Sequence, residues 1–265
     1  MGDKAKSVVV TGAASGIGRA TAERLARNGW NVLAVDRDAD KLAWAQDNAN
    51  VIAIAADVTS PEDNARIADE ARQRYGKLAA VVLNAGITGG GSIDDLPFEA
   101  FHNIMSVNLF GAVLGIKALL PLLRANGGGA ISVTSSTMGL GGDSENWAYA
   151  TSKHAVIGLV RSLSRELGCQ NIRINALCPG PTWTGMTDTI RDVAPQHYDL
   201  MKQSVPLQRW ADPDEQASVI EFLISPAASY VTGHAMVADG GAIVGTGLVP
   251  PASEGKSAIP KEINH

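Results

Sequence analysis

The chain has little cysteine, few aromatic residues and no surplus of positive charge, and each shortage removes a class of function. Two cysteines in 265 residues, Cys169 and Cys178, are too few for a disulfide framework and lack metal-ligand spacing. They read as free thiols of a reducing compartment. The formal net charge is −5 and Lys and Arg form no block, so nucleic acid is not an expected partner. No apolar run approaches the roughly 20 residues of a membrane span. The opening "MGDKAKSVVVTG" offers three consecutive valines before a glycine, too short for the core of a signal peptide. Lys6 stands where a myristoylation signal needs Ser or Thr. A cytoplasmic protein without a membrane partner is expected.

What is present is an ordinary globular composition, 45% apolar and 18% charged, rich in glycine at 28 positions. Short β-branched runs at 7–11, 31–36, 51–57, 79–84, 129–135, 172–180 and 235–239 alternate with helical patterns at 16–29, 38–48, 61–75, 97–124, 147–168 and 212–225. The alternation predicts an α/β fold, a doubly wound, Rossmann-type, mostly parallel sheet of seven strands with helices on both faces. Most strands are apolar throughout, as burial on both faces requires. The expected organisation is a single domain over 1–245. Residues 246–265, rich in Gly, Pro and Ser, read as an irregular C-terminal extension.

"TGAASGIG" (11–18) joins the first strand to the first helix. Gly12, Gly16 and Gly18 allow a sharp turn and close approach of a ligand, and the helix start offers free N–H groups and a dipole to a pyrophosphate. With Ser15 and Ile17 they form the expected phosphate cradle. Asp36 ends the second strand, where an acid reaches the ribose hydroxyls of adenosine. Its charge repels a 2′-phosphate and favours NAD over NADP, while neighbouring Arg37 pulls the other way. Asp57 and Val58 follow the third strand; Asp57 suits the adenine amine or a cap for the helix that begins near Ser60. Asn84, Ala85 and Gly86 end the fourth strand with small residues past which a ribose fits.

"SSTMGLGGDSENWAYATSK" (135–153) carries the chemistry. Tyr149 and Lys153 lie four apart, on one face of a helix. A phenol with a pKa near 10 is a poor base at neutral pH, and a neighbouring ammonium and the positive nicotinamide of an oxidised cofactor both favour its phenolate. Tyr149 then takes a proton from an alcohol or gives one to a ketone. Ser136 is expected to hold the substrate oxygen and stabilise its developing charge.

These pieces, together with "NAG" (84–86), Asn108 in "SVNLFG" and "PGPTWT" (179–184), come in the order and at the distances of one family. Over about 7–245 the chain resembles the classical short-chain dehydrogenase/reductases. The resemblance implies an NAD-dependent oxidoreductase acting on a secondary alcohol or its ketone, with Asn108, Ser136, Tyr149 and Lys153 as its catalytic set. It implies that Lys153 also binds the nicotinamide ribose. Asn108, at a distortion of helix 101–124, would hold a water that relays protons. Pro179, Gly180, Thr182 and Thr184 are implied at the cofactor, with Thr184 on the carboxamide.

The stretch 182–210 has no clear strand, Pro195 interrupts any single helix in it, and in the family it is a lid over the substrate. Trp147, Trp183 and Met186, with Ser136, are the expected substrate contacts, and Ile87 and Leu140 further pocket walls. His154 is expected to point away from the site, and His197 lies in the lid. Helices 101–124 and 147–168 are apolar on more than one face. In the family such helices pair, so a homotetramer is expected through them. The competing classes are a nucleotide-binding sensor or scaffold without chemistry, an NADP-dependent carbonyl or 3-oxoacyl reductase, and an extended-branch epimerase or dehydratase. The glycine spacing and length disfavour the last.

Overall fold

The structure, a computed structural model, describes residues 6–185, 187 and 195–245. Met186 and the extension 246–265 lie outside the described residues, as does the side chain of His197.

Seven strands form one sheet in the order β3-β2-β1-β4-β5-β6-β7, every pair parallel. They are β1 (Lys6–Thr11), β2 (Trp30–Asp36), β3 (Val51–Ala55), β4 (Ala80–Leu83), β5 (Gly129–Thr134), β6 (Ile172–Pro179) and β7 (Ala235–Ala238). The pleat sends alternate residues to opposite layers. Val9, Leu33, Val35, Val81 and Leu83 join one apolar cluster, and Val8, Val10, Val32, Ala34 and Val82 the other. The strands lack a polar face because both faces are covered.

On the first face lie α2 (Pro61–Tyr75), α4 (Gly111–Ala125) and α5 (Trp147–Leu167); on the second lie α1 (Gly16–Arg27) and α7 (Pro213–Ile224). The start of α2 is set by Ser60, whose hydroxyl accepts from the Asp63 N–H at 3.1 Å, with Pro61 next and Gly76 at φ +70° closing the far end. Asp212 and Glu215 form a reciprocal capping box at the start of α7. Arg24 of α1 then bonds Asp214 at 2.7 Å and Glu221 at 2.8 Å, tying α1 to α7.

The helical pattern at 38–48 proves to be a 3₁₀ helix over Asp40–Asp47, with only Leu42 and Ala45 buried. The long helix after β4 is α3 (Phe98–Met105), a π turn over Ser106–Phe110, and then α4. Pro195 opens α6 (Pro195–Ser204) rather than merely breaking a helix. The expectation that no apolar run approaches the length of a membrane span needs correction: Phe98–Ala125 is long and apolar enough, by length and composition, to cross one, and holds an 18-residue window of mean hydropathy 1.8. Charged residues are sparse there because one side packs on the sheet through Ala112, Ile116, Leu119 and Leu123. Less than half of that window, 44%, is buried within the chain.

The strand order reverses direction between β1 and β4. Their carboxyl ends, Thr11–Gly12 and Asn84–Ala85, face each other across the crevice where open α/β sheets bind ligands.

Candidate active site

Gly12 and Gly16 sit at φ +68° and +54°, a region that side chains avoid. A Cβ on Gly12 would lie 2.9 Å from Asn84 Nδ2 and from the Ala85 backbone; one on Gly18 would run into the Gly12 carbonyl and Asn84. A Cβ on Gly16 would be 3.0 Å from the Thr184 methyl, so Thr184 stands against the cradle. Ser15 is the N-cap of α1 in extended conformation, its side chain caps nothing, and the first turn carries no acid. The opening N–H groups of α1, including that of half-buried Ile17, therefore offer themselves to an anion. These residues fit the pyrophosphate of a dinucleotide.

Asp36 is half-buried, and its carboxylate accepts from the Ala14 N–H at 3.1 Å and from the Asp38 N–H at 3.1 Å. Asp57 is exposed and accepts from both the N–H and the hydroxyl of Thr59 at 2.8 Å, while Ser60 performs the capping. Val58 packs over Gly111. Gly180 follows β6 where a Cβ would strike Asp239 at 2.5 Å, and the Thr182 hydroxyl donates to the Gly180 carbonyl at 2.9 Å. Pro179 is the last residue of β6, half-buried.

Thr11 Oγ1 accepts from the N–H groups of Asn84 and Ala85 at 3.0 and 3.2 Å, and Thr134 Oγ1 donates to Asn84 Oδ1 at 3.0 Å. The Thr134 carbonyl accepts from the Lys153 ammonium at 2.9 Å. A polar chain thus runs from the glycine turn to Lys153. Gly86 leaves room for its far end, since a Cβ there would lie 3.3 Å from Lys153 Nζ and 3.2 Å from Asn108 Oδ1.

Tyr149 and Lys153 share a face of α5, the ammonium 5.4 Å from the phenol ring centre. Ser136, 9% exposed, N-caps the turn Thr137–Gly139, accepts from the Met138 N–H at 3.1 Å, and lies close enough to the Tyr149 phenol to act on its pKa. The electrostatics differ from the sequence expectation. Burial raises the Tyr149 pKa, partly offset by the Ser136 side chain. Burial also brings Lys153 down to about 8, the Cys178 thiol acting the other way. The lysine is drawn to Thr134, and the protein by itself does not give the depressed phenol expected from the Tyr/Lys pair.

Asn108 is 2% exposed and sits inside the π turn. Its side-chain amide pairs with the Ile87 backbone, accepting at 2.8 Å and donating at 3.0 Å, and donates a second bond to Ser152 Oγ at 2.9 Å. The side chain is therefore occupied. It lies in a turn where the regular ladder is widened.

Two expected substrate contacts point elsewhere. Trp147 is about 200° around α5 from Tyr149, and its ring packs on Phe101 of α3 at 5.3 Å. Trp183 packs on Trp210 at 4.8 Å, and its backbone N–H donates to the Ala211 carbonyl at 3.0 Å. Leu140, 39% exposed, remains beside the Ser136 turn, and His154 is exposed as expected. Sequence reasoning left Thr11, Thr134, Ser135 and Ser152 without a role; the signal was a hydroxyl at the end of a strand or beside a catalytic residue.

The family model described as enoyl-(acyl carrier protein) reductase matches residues 12–242. Levodione reductase of Leifsonia aquatica is 33% identical over 247 residues, covering 88% of this chain and 92% of its own length. The 3-oxoacyl-(acyl-carrier-protein) reductase FabG of Thermotoga maritima is 33% identical over 244 residues, covering 90% and 98%. Among solved structures, levodione reductase superposes with a TM-score of 0.85 at 32% identity, over 89% of this chain and 96% of that one. A Beutenbergia cavernae protein assigned as an NAD(P)-dependent gluconate 5-dehydrogenase, with NADP bound at low occupancy, also scores 0.85 at 33% identity, over 91% and 97%. A family model over most of the chain, and relatives and a solved fold that match it along nearly their whole length, have one reading: the chain belongs to the classical short-chain dehydrogenase/reductase family, oxidoreductases of CH–OH and keto groups that use a nicotinamide cofactor.

Proposed function

We propose that this protein is an NAD(H)-dependent oxidoreductase interconverting a secondary alcohol and its ketone. The observation that carries the reading is the placing of Tyr149 and Lys153 on one face of α5, the ammonium 5.4 Å from the phenol ring centre and held on the Thr134 carbonyl, with the Ser136 turn fastened beside them through Ser135. One hydroxyl orients the substrate oxygen while the other exchanges a proton with it. The bound cofactor supplies or accepts the hydride, and its oxidised ring adds the positive charge that the phenolate needs. Gly12, Ser15, Gly16, Ile17 and Gly18 hold its pyrophosphate, Asp36 its adenosine ribose, and Lys153 the ribose beside the nicotinamide. Asp57, Val58, Asn84, Ala85, Gly86, Pro179, Gly180, Thr182 and Thr184 line the remainder. Lys153, the cation beside the phenol, holds with the Thr134 carbonyl a proton path open toward the Asn108 turn.

Asp36 supports NAD. A second reading, an NADP-dependent carbonyl or 3-oxoacyl reductase, is favoured by the FabG relative and the NADP-bound neighbour. The uncovered side of α3–α4, where Phe110 is 46% exposed, supports a homotetramer built on these helices and α5. The free thiols Cys169 and Cys178 support a cytoplasmic location.

The test is oxidation of NADH and NADPH with a panel of cyclic and acyclic ketones, wild type against Tyr149→Phe. The variant should lose about a thousandfold or more in kcat and keep its cofactor affinity. Equal measurable rates would remove Tyr149 from the mechanism, and a wild type that binds the cofactor but turns over no ketone would leave a nucleotide-binding scaffold.

A further inference from the structure

Two buried serine hydroxyls touch the backbone of the two residues that carry the chemistry. Ser152, fully buried, donates from Oγ to the Tyr149 carbonyl at 2.7 Å and accepts from Asn108 Nδ2 at 2.9 Å. Ser135, 2% exposed, donates from Oγ to the Lys153 carbonyl at 2.9 Å. Each carbonyl also belongs to the hydrogen-bond ladder of α5, so each serine adds a second bond at a catalytic position.

A serine that bonds back to the carbonyl three residues earlier is common in helices. Ser164, Ser204 and Ser218 of this chain do the same, at 2.8, 2.7 and 2.6 Å. Ser152 differs in its burial and in its second bond, which leaves the helix. That bond reaches Asn108, itself locked to the Ile87 backbone by two hydrogen bonds. Ser135 is anchored as firmly from the other side, its N–H donating to the Leu177 carbonyl of β6 at 2.7 Å. The turn after Ser136 packs on the same pair, since a Cβ on Gly139 would meet Ser135 Oγ at 2.6 Å and the Lys153 carbonyl at 2.9 Å. The first turns of α5 are therefore pinned at Tyr149 through the π turn and at Lys153 through β5 and β6.

We propose that Ser135 and Ser152 are positioning residues, which fix the rotation and height of α5 so that Tyr149 meets Ser136 while Lys153 reaches the Thr134 carbonyl. The proposal deepens the oxidoreductase reading and rests on it. Without either hydroxyl the helix keeps its ladder but gains freedom of a fraction of an ångström, and proton transfer is sensitive to displacements of that size.

The experiment compares wild type, Ser152→Ala, Ser135→Ala and, as a control for helix back-bonding, Ser218→Ala. Steady-state kinetics use NADH or NADPH with the best ketone of the panel. Phenol ionisation of the cofactor-free protein is followed by ultraviolet difference spectroscopy, with Tyr149→Phe subtracted. For Ser152→Ala and Ser135→Ala, kcat should fall about tenfold or more while KM and cofactor Kd stay within about twofold. The Tyr149 titration should move up by about half a pH unit or more as its contact with Ser136 loosens. Ser218→Ala should change none of these. If Ser152→Ala does not fold, Ser135→Ala carries the same expectation through an independent bond. Variants that lower thermal stability alone, with kcat and the Tyr149 titration unmoved, overturn the positioning role. A wild type inactive on every ketone with either cofactor removes the oxidoreductase reading first, and the positioning role with it.

Discussion

Asp36 Oδ2 accepts the Ala14 N–H at 3.1 Å, so the end of β2 braces the turn between β1 and α1. The same carboxylate thus shapes the cradle and sets the charge beside it. Asp36→Asn retains an acceptor and removes the charge. It should raise affinity for NADPH relative to NADH by about tenfold or more, measured by parallel fluorescence titrations. Asp36→Ala should weaken both cofactors, because the Ala14 N–H loses its partner. A ratio unchanged in Asp36→Asn would refute the charge argument for NAD.

Gly18→Ala places a methyl against the Gly12 carbonyl and Asn84. Backbone cannot yield there as a flexible side chain would, so the first turn of α1 must shift away from β1. Cofactor Kd should rise about a hundredfold, with the melting temperature also lowered. An alanine variant that binds as wild type does would show that the cradle is not where the pyrophosphate lies.

Lys153 makes stability depend on pH in a particular sense. Its pKa falls to about 8 in the folded chain, whereas an unfolded lysine stays near 10.4. Between these values the unfolded chain binds the extra proton, so stability rises as pH rises from about 8 toward 10.4 and the burial penalty is complete below about 8. Lys153→Met should lack this rise and be more stable than wild type at pH 7, by urea unfolding at a series of pH values. The difference between the two proteins isolates the lysine from Cys178, whose pKa burial raises. A difference that does not vary between pH 7 and 10 would contradict the assignment.

The Tyr75 hydroxyl is buried without a hydrogen-bond partner, and burial pushes its pKa up to about 12. Tyr75→Phe should stabilise the protein by about 1 kcal/mol, the cost of an unsatisfied polar group. The sign of its pH effect is opposite to that of Lys153. The raised pKa gives stability that is complete below about pH 10 and lost as pH climbs toward about 12, and the phenylalanine variant would be free of that loss. Chemical denaturation at pH 8 and pH 11 distinguishes the outcomes.

Strands were legible because most are short runs dominated by apolar residues, and the buried faces explain why: every position of β1 from Ser7 to Thr11 is buried. Helix α2 was legible from "SPED", where capping hydroxyl, proline and acids announce the start. The 3₁₀ helix at Asp40–Asp47 was harder, since its sequence looks helical while only two residues find the core and Trp44 turns its indole N–H to the Ala13 carbonyl at 3.1 Å. The site's polar wiring was illegible for a different reason. Thr134 meets Asn84 fifty residues away, and Trp183 meets Trp210 from the far end of the stretch 182–210, pairings that only the folded chain creates. The electrostatic error at Tyr149 has the same origin, for helical spacing reveals the neighbouring ammonium but not the depth at which both groups lie.

The parallel bridge between Thr182 and Ala211 has a consequence for how this protein changes over time. The Ala211 N–H donates to the Pro181 carbonyl at 2.9 Å, so the chain departs from the sheet and rejoins it at one point. What lies between is a closed excursion on a fixed stem. Doubling the length of such an excursion costs only about 0.6 kcal/mol in closure entropy. Thr184 lies against the Gly16 turn and Val205 against Gly240, so a change of length is least costly between these two positions, where new specificities can be tried without breaking either contact.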